Sequence, residues 1–286
     1  MSDFMKKLIV ATDLSPRSDR AMNRALALSD ELKTKLVVLH IVDDELPNSL
    51  AASLKDEAES IIDDQLDAFP TLKRENITRK VVFGSVFREI LKEAEEGVAD
   101  LIIMGTHRDE GLSSMFLGTT VERVIRHGNT PVLVVKDRVK GPYRRVLVGI
   151  DFSVYSRRAV EFALKFVPRA EIFLLHAYDV PFKGFLPGRA VRDEIKKIHQ
   201  DKMDTMLDEE MESFLQSLRS PPTPMKRVMA EGMAGTVISA QTKKIHPDLL
   251  IVGTHGRTGV AHALLGSVAE DLLSEPPCDV LAVKAW

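Results

Sequence analysis

One pattern occurs twice in this chain, and that repeat restricts the folds open to it more than any other feature. The run KKLIVATDLSPRSDRA, from Lys6 to Ala21, returns as RRVLVGIDFSVYSRRA, from Arg144 to Ala159, with Asp13/Asp151, Ser15/Ser153, Ser18/Ser156 and Arg20/Arg158 in register. Further on, DLIIMGTHR (Asp100 to Arg108) matches DLLIVGTHG (Asp248 to Gly256), and FLGTTVE (Phe116 to Glu122) matches LLGSVAE (Leu264 to Glu270). The later blocks stand farther apart than the first, so the second half carries extra residues between them. Proline and glycine place these in the loops YDVPFKGFLPG and SPPTP. At 286 residues and 44% hydrophobic content the chain is long enough for two cores, and we expect one domain over 1–140 and a second over 141–286.

Within each half, short apolar runs alternate with amphipathic stretches. KKLIVAT, KLVVLHIV, ITRKVVF, DLIIMG and PVLVVK are almost uninterruptedly apolar, as strands are when helices cover both faces of a parallel sheet. Asp19 to Leu32 and Ser85 to Glu96 carry apolar residues at three- and four-residue spacing, the mark of a half-buried helix. The alternation predicts an α/β fold of two tandem doubly wound, five-stranded parallel-sheet domains with right-handed crossovers. The polar connection from Lys136 to Tyr143 is too short to let the halves wander, so they should pack together. Arg189 to Arg219 reads as a helix with a charged outer face over a buried stripe of Met203, Met206, Leu207, Met211 and Phe214.

A formal charge of −3 with closely mixed signs leaves no sustained basic surface, which argues against nucleic acid and anionic lipid as partners. The longest apolar stretches, such as Leu36 to Val42, fall far short of the ~20 residues that cross a bilayer, and the start of the chain lacks the apolar core of a signal peptide. A cytoplasmic protein is expected. The single cysteine, Cys278, suits a reducing compartment and reads as a small buried apolar side chain. No His, Cys and carboxylate set has metal-ligand spacing; His255 and His262 are separated by a glycine-rich loop, so no intrinsic metal site is expected.

In an open parallel sheet, ligands bind beyond the carboxyl ends of the strands. The first strand of each half ends on an aspartate, Asp13 or Asp151, which can accept hydrogen bonds from a ribose or cap the following helix. The fourth strand of the second half runs into Gly253, Gly256 and, nine residues on, Gly266-Ser267, giving G-x2-G-x9-G-S. Glycines let the backbone approach an anion, and the free N–H groups of a helix start favour phosphate. His40 and His176, at the second strands, read as structural, whereas His107 and His255 lie in the phosphate-type loops.

Taken together, VGIDFS, LLHA, GTHGRTG and LLGSVAE at successive strand ends, and their partial copies in the first half, make the sequence resemble the universal stress protein family along nearly its whole length, twice. The resemblance implies a Rossmann-like fold of the adenine nucleotide alpha hydrolase kind and ATP as ligand, with Mg2+ carried by the nucleotide. It implies Asp151 against the nucleoside and the backbone of Ala177 against adenine. Ribose and phosphates then fall to Gly253, Gly256, Gly266, Ser267 and Val268, with His255 and Arg257 beside them. The first-half counterparts are Asp13, Ile41, Gly105, Gly118 and Thr119, but Arg108 stands in the place of Gly256, so that site is expected to be altered or empty. Family members commonly dimerise through their fifth strands, which would make this chain an intramolecular pseudo-dimer joined at PVLVVK and DVLAVK, with pairing of whole chains left open.

The function expected is a nucleotide-responsive stress or signalling module acting on an unidentified protein partner. The alternatives are a slow ATP-hydrolysing or nucleotidyl-transferring enzyme and a scaffold without nucleotide. The enzyme lacks its usual signs: there is no HIGH, SGGxDS or GxxxxGK[ST] sequence and no placed nucleophile with its base, so no catalytic residue is assigned.

Overall fold

The computed structural model describes residues 4–69, 74–106, 119–178, 205–219, 224–255 and 265–284. The first half contains β1 (Lys7–Thr12), α1 (Pro16–Leu32), β2 (Lys35–Val42), α2 (Asn48–Asp67), β3 (Ile77–Phe83), α3 (Val86–Glu96), β4 (Leu101–Gly105), α4 (Thr120–His127) and β5 (Val132–Val135). The second repeats them as β6 (Arg145–Ile150), α5 (Val154–Phe166), β7 (Glu171–Tyr178), α6 (205–216), β8 (Met225–Glu231), α7 (Ala234–Ile245), β9 (Leu249–Gly253), α8 (Ser267–Ser274) and β10 (Asp279–Val283).

All ten strands form one sheet in the order β3-β2-β1-β4-β5-β10-β9-β6-β7-β8. Neighbours within each half are parallel, and successive residues point to opposite faces. Leu8 and Val10 join a core under α1, α2, α5 and α6; Ile9 joins another under α3, α4, α7 and α8. Each half is therefore doubly wound, and both faces of its inner strands are dry, which is why those strands read as continuous apolar runs. In α6, Leu207, Met211 and Phe214 are buried as expected, but Met206 is 65% exposed and belongs to the outer face; Met203 lies outside the described residues. A 3.6-residue period cannot place both Met206 and Leu207 on a narrow buried stripe, and the leucine takes it.

The halves meet at the one antiparallel junction, β5 on β10, with Leu133 opposite Leu281. These two leucines are equivalent in the repeat, so a local two-fold axis passes between them. Side chains follow the axis: Lys136 Nζ donates to Pro276 O at 2.6 Å, and its counterpart Lys284 Nζ donates to Gly128 O at 2.8 Å and Arg126 O at 3.0 Å. On one side only, a carboxylate is buried beside the axis. Asp279, wholly inaccessible, accepts from the amides of Lys136 (2.9 Å) and Asp137 (3.0 Å) and from the Tyr143 hydroxyl (2.7 Å). Arg24 Nε stands 3.4 Å from the same carboxylate, within ion-pair range though not aligned as a hydrogen bond, and its guanidinium lies 4.1 Å from the Tyr143 ring centroid. The polar connection is thereby pinned to the second half. Among the described residues no helix is long and apolar enough to cross a membrane.

Candidate functional site

The turn from the first strand to the first helix is built identically in both halves. Asp13 Oδ1 accepts from the Ser15 amide, and Asp151 Oδ1 from the Ser153 amide, each at 3.0 Å. Ser15 and Ser153, not the aspartates, are the N-caps, accepting from Ser18 N (3.4 Å) and Ser156 N (3.2 Å). The residue between, Leu14 or Phe152, is forced to φ 59° or 61°, a left-handed conformation uncommon for such side chains. The acid thus folds back over its own turn and stays at the carboxyl edge of the sheet. Burial pulls the Asp13 carboxyl up, but hydrogen bonds involving Ser15 and Ser18 outweigh it and hold the group below its ordinary value.

His40 and His176 each point Nδ1 at a carbonyl of the neighbouring first strand, Thr12 O and Ile150 O, both at 2.9 Å. They tie the second strand to the first beside the site, the structural role expected of them.

The fourth-strand glycines have a packing reason of their own. A Cβ on Gly105 would lie 3.0 Å from Arg17 O, and one on Gly253 would lie 3.2 Å from the carbonyl carbon and Cβ of Tyr155, so glycine is what lets the first turn of α1 or α5 sit down on the strand end. Gly266 differs. It caps α8 at φ −63°, ψ 141°, and among the described residues an added Cβ would meet nothing nearer than Thr254 O at 3.5 Å. Neither the conformation nor a neighbour among the described residues demands glycine there. Its effect is to leave the start of α8 without a side-chain cap, so the first-turn N–H groups face outward. In the first half Thr119 caps α4 itself, accepting from Glu122 N at 3.1 Å.

These residues converge. A cavity of about 310 Å³ in the second half is lined by Asp151, Ala177, Gly253, His255, Gly266, Ser267 and Val268, drawn from four separate segments of chain. Its first-half counterpart, about 400 Å³, is lined by Asp13, Ile41, Gly105 and Thr119. Gly256, Arg257, His107, Arg108 and Gly118 lie outside the described residues. His255 hydrogen-bonds through Nδ1 to Thr254 Oγ1 at 2.9 Å, and its ring stands 5.2 Å from that of Tyr155. Burial, helped by the charge of Lys284, pushes its pKa down. Among the described residues no group of three His, Cys, Asp or Glu side chains could hold a metal ion.

Sequence reasoning passed over one wall of each cavity: Ala234 and Ile238 on α7, and their repeat equivalents Val86 and Ile90 on α3. They supply a flat apolar surface opposite the loop glycines, and the helical spacing of Val86 and Ile90 was the available signal.

With this geometry in view, comparison with known proteins gives a consistent result. The chain matches the Universal stress protein family over residues 5–136 and again over 142–284. It is 26% identical to the universal stress protein E homolog of Haemophilus influenzae, an alignment covering 98% of this chain and 97% of that one. A universal stress protein of Methanocaldococcus jannaschii is 30% identical over 158 residues, 48% of this chain and 98% of its own. The crystal structure of a universal stress protein from Archaeoglobus fulgidus superposes with a TM-score of 0.66 at 21% identity, covering 97% and 98% of the two chains.

Proposed function

The chain belongs to the universal stress protein family, and on that premise we propose that its second half binds ATP or a related adenine nucleotide and that the protein serves as a nucleotide-responsive stress or signalling module. The observation that carries this reading is the cavity in which an acid, an uncapped helix start and an apolar wall face one another. Each part suits one portion of a nucleotide. Asp151 would accept from ribose hydroxyls, the backbone at Ala177 and the side chain of Ile238 would receive the base, and the amides of Ser267 and Val268 at the α8 start would meet phosphate. The family resemblance adds Gly256 and Arg257, which lie outside the described residues, to the phosphate contacts. Mg2+ would arrive with the nucleotide. Occupancy would be read by a protein partner.

Isothermal titration calorimetry of the whole chain with ATP tests the reading. Gly266→Val should leave the fold intact, because the φ angle is open to any residue, yet weaken ATP by about tenfold or more by covering the helix start. Unchanged affinity in a folded variant would end the assignment. Hydrolysis, followed by phosphate release, is expected to stay below the ~1 per second at which enzymes begin.

A further inference from the structure

The local axis at the β5–β10 junction makes a comparison possible between its two sides. On one side the space beside the axis is filled by Arg24, Tyr143 and Asp279. Their equivalents in the repeat are Phe162, Met5 and Pro131, which form no such cluster, and the corresponding place is an open cavity of about 470 Å³ between the halves. It is distinct from both nucleotide-type cavities and lies at the opposite end of β4 and β5, beside Asp100 and Pro131.

The lining is divided by chemistry. Phe4 and Phe162, edge to face at 5.2 Å between centroids, form an apolar floor with Met5 and Pro131. The rim is cationic. Arg157, Lys165 and Arg219 line it, and no carboxylate among the described residues lies within ion-pair distance of any of them; Lys165 Nζ stands 5.5 Å from the Phe4 ring centroid. The two acids on the wall are already engaged by backbone N–H groups: Asp100 Oδ2 accepts from Lys6 N (2.6 Å) and Lys7 N (3.0 Å), and Glu161 Oε1 from Arg219 N (3.3 Å). Arg158 and Lys284, bonded elsewhere, add further positive potential. A cavity with an aromatic floor and an unpaired cationic rim selects against water-loving cations and against neutral polar solutes.

We propose that this interdomain cavity is a second ligand site, taking a small organic anion: an aromatic or otherwise compact apolar body seated on Phe4 and Phe162, with a carboxylate, sulfonate or phosphate held by Arg157, Lys165 and Arg219. Binding there spans both halves, since Phe4 and Pro131 come from the first and Phe162, Arg157 and Arg219 from the second.

Anilinonaphthalene sulfonate, an aromatic anion that fluoresces when desolvated, is the probe, and its uncharged relative phenylnaphthylamine is the control. With the full chain and saturating ATP present, the sulfonate should bind at one saturable site, about tenfold or more tighter than phenylnaphthylamine. The double variant Arg157→Glu/Lys165→Glu should remove that preference. Met5→Tyr, which fills the cavity as Tyr143 fills its equivalent, should weaken both probes while circular dichroism confirms the fold. Equal binding of the two probes to the unaltered protein, affinity unaffected by either variant, or displacement by ATP would each overturn the proposal.

Discussion

Removing the Asp279 carboxylate should destabilise the joined sheet more than any other single truncation at the junction. Asp279→Ala deletes the acceptor for two amides and a tyrosine hydroxyl and strands Arg24, which is only 5% exposed. Breaking a buried pair from one side costs about 3–5 kcal/mol, because the remaining charge stays in low dielectric. Burial has pushed the Asp279 pKa up despite these partners, so the ion already carries an unrepaid cost, which places the loss near the lower figure of about 3 kcal/mol. Denaturant unfolding followed by far-ultraviolet circular dichroism measures it, with near-ultraviolet circular dichroism as a second probe of a single transition. In an Arg24→Met background the same substitution should cost about 1–2 kcal/mol less, since no guanidinium is left behind. The pH dependence has a definite sign. A carboxyl whose folded pKa lies above its unfolded one favours the fold more when protonated, so the gap between wild type and Asp279→Ala should widen on acidification through the raised folded pKa toward the ordinary carboxylate range. Equal losses in both backgrounds, or a loss below about 1 kcal/mol, would refute the account of Asp279 as an anchor with Arg24 as its dependent charge.

His255 is held below its usual pKa in the free protein, and a phosphate beside it would favour the imidazolium; ATP affinity measured by calorimetry should therefore strengthen by about tenfold as pH falls from about 8 to 5.5, and His255→Gln should flatten the profile. Gly253→Ala should cost about 1–3 kcal/mol in thermal melts because its Cβ presses on the backbone of Tyr155, while Gly266→Ala should stay within about 1 kcal/mol; the reverse order would contradict the packing account of the two glycines. Equilibrium dialysis should find one ATP per chain, rising toward two in Arg108→Gly, because arginine fills a place where the second half has glycine; two equal sites in the unaltered chain would remove the asymmetry.

Much of this was legible in the residues. The repeat marked the ten strands, and the motifs VGIDFS, GTHG and LLGSVAE carry Asp151, Gly253 and Gly266, which line one cavity. What escaped depends on contacts distant in sequence. Nothing local marks Gly105 and Gly253 as the seats of crossing helices, because Arg17 and Tyr155 reach them only through the fold. The pairing of β5 with β10 was expected from the sequence, but the burial of Asp279 under the Lys136, Asp137 and Tyr143 donors was not, since those partners meet it only across the joined sheet. The Asp13 and Asp151 capping role passed to the serines, a distinction that turns on φ at Leu14 and Phe152, which no composition reveals.

The local two-fold axis between Leu133 and Leu281 has a consequence for how such a molecule can change. In a dimer of identical chains every substitution near the axis is inherited twice, once on each side, so a buried acid at this position would be met by a second acid across the interface. Here the two sides are different codons. The chain holds Asp279 on one side and Pro131 on the other, Tyr143 against Met5, Arg24 against Phe162, and Arg108 where the other half keeps Gly256. Fusion therefore turns a symmetric joint into a pair of surfaces that drift separately, one free to become an anchor and the other to open.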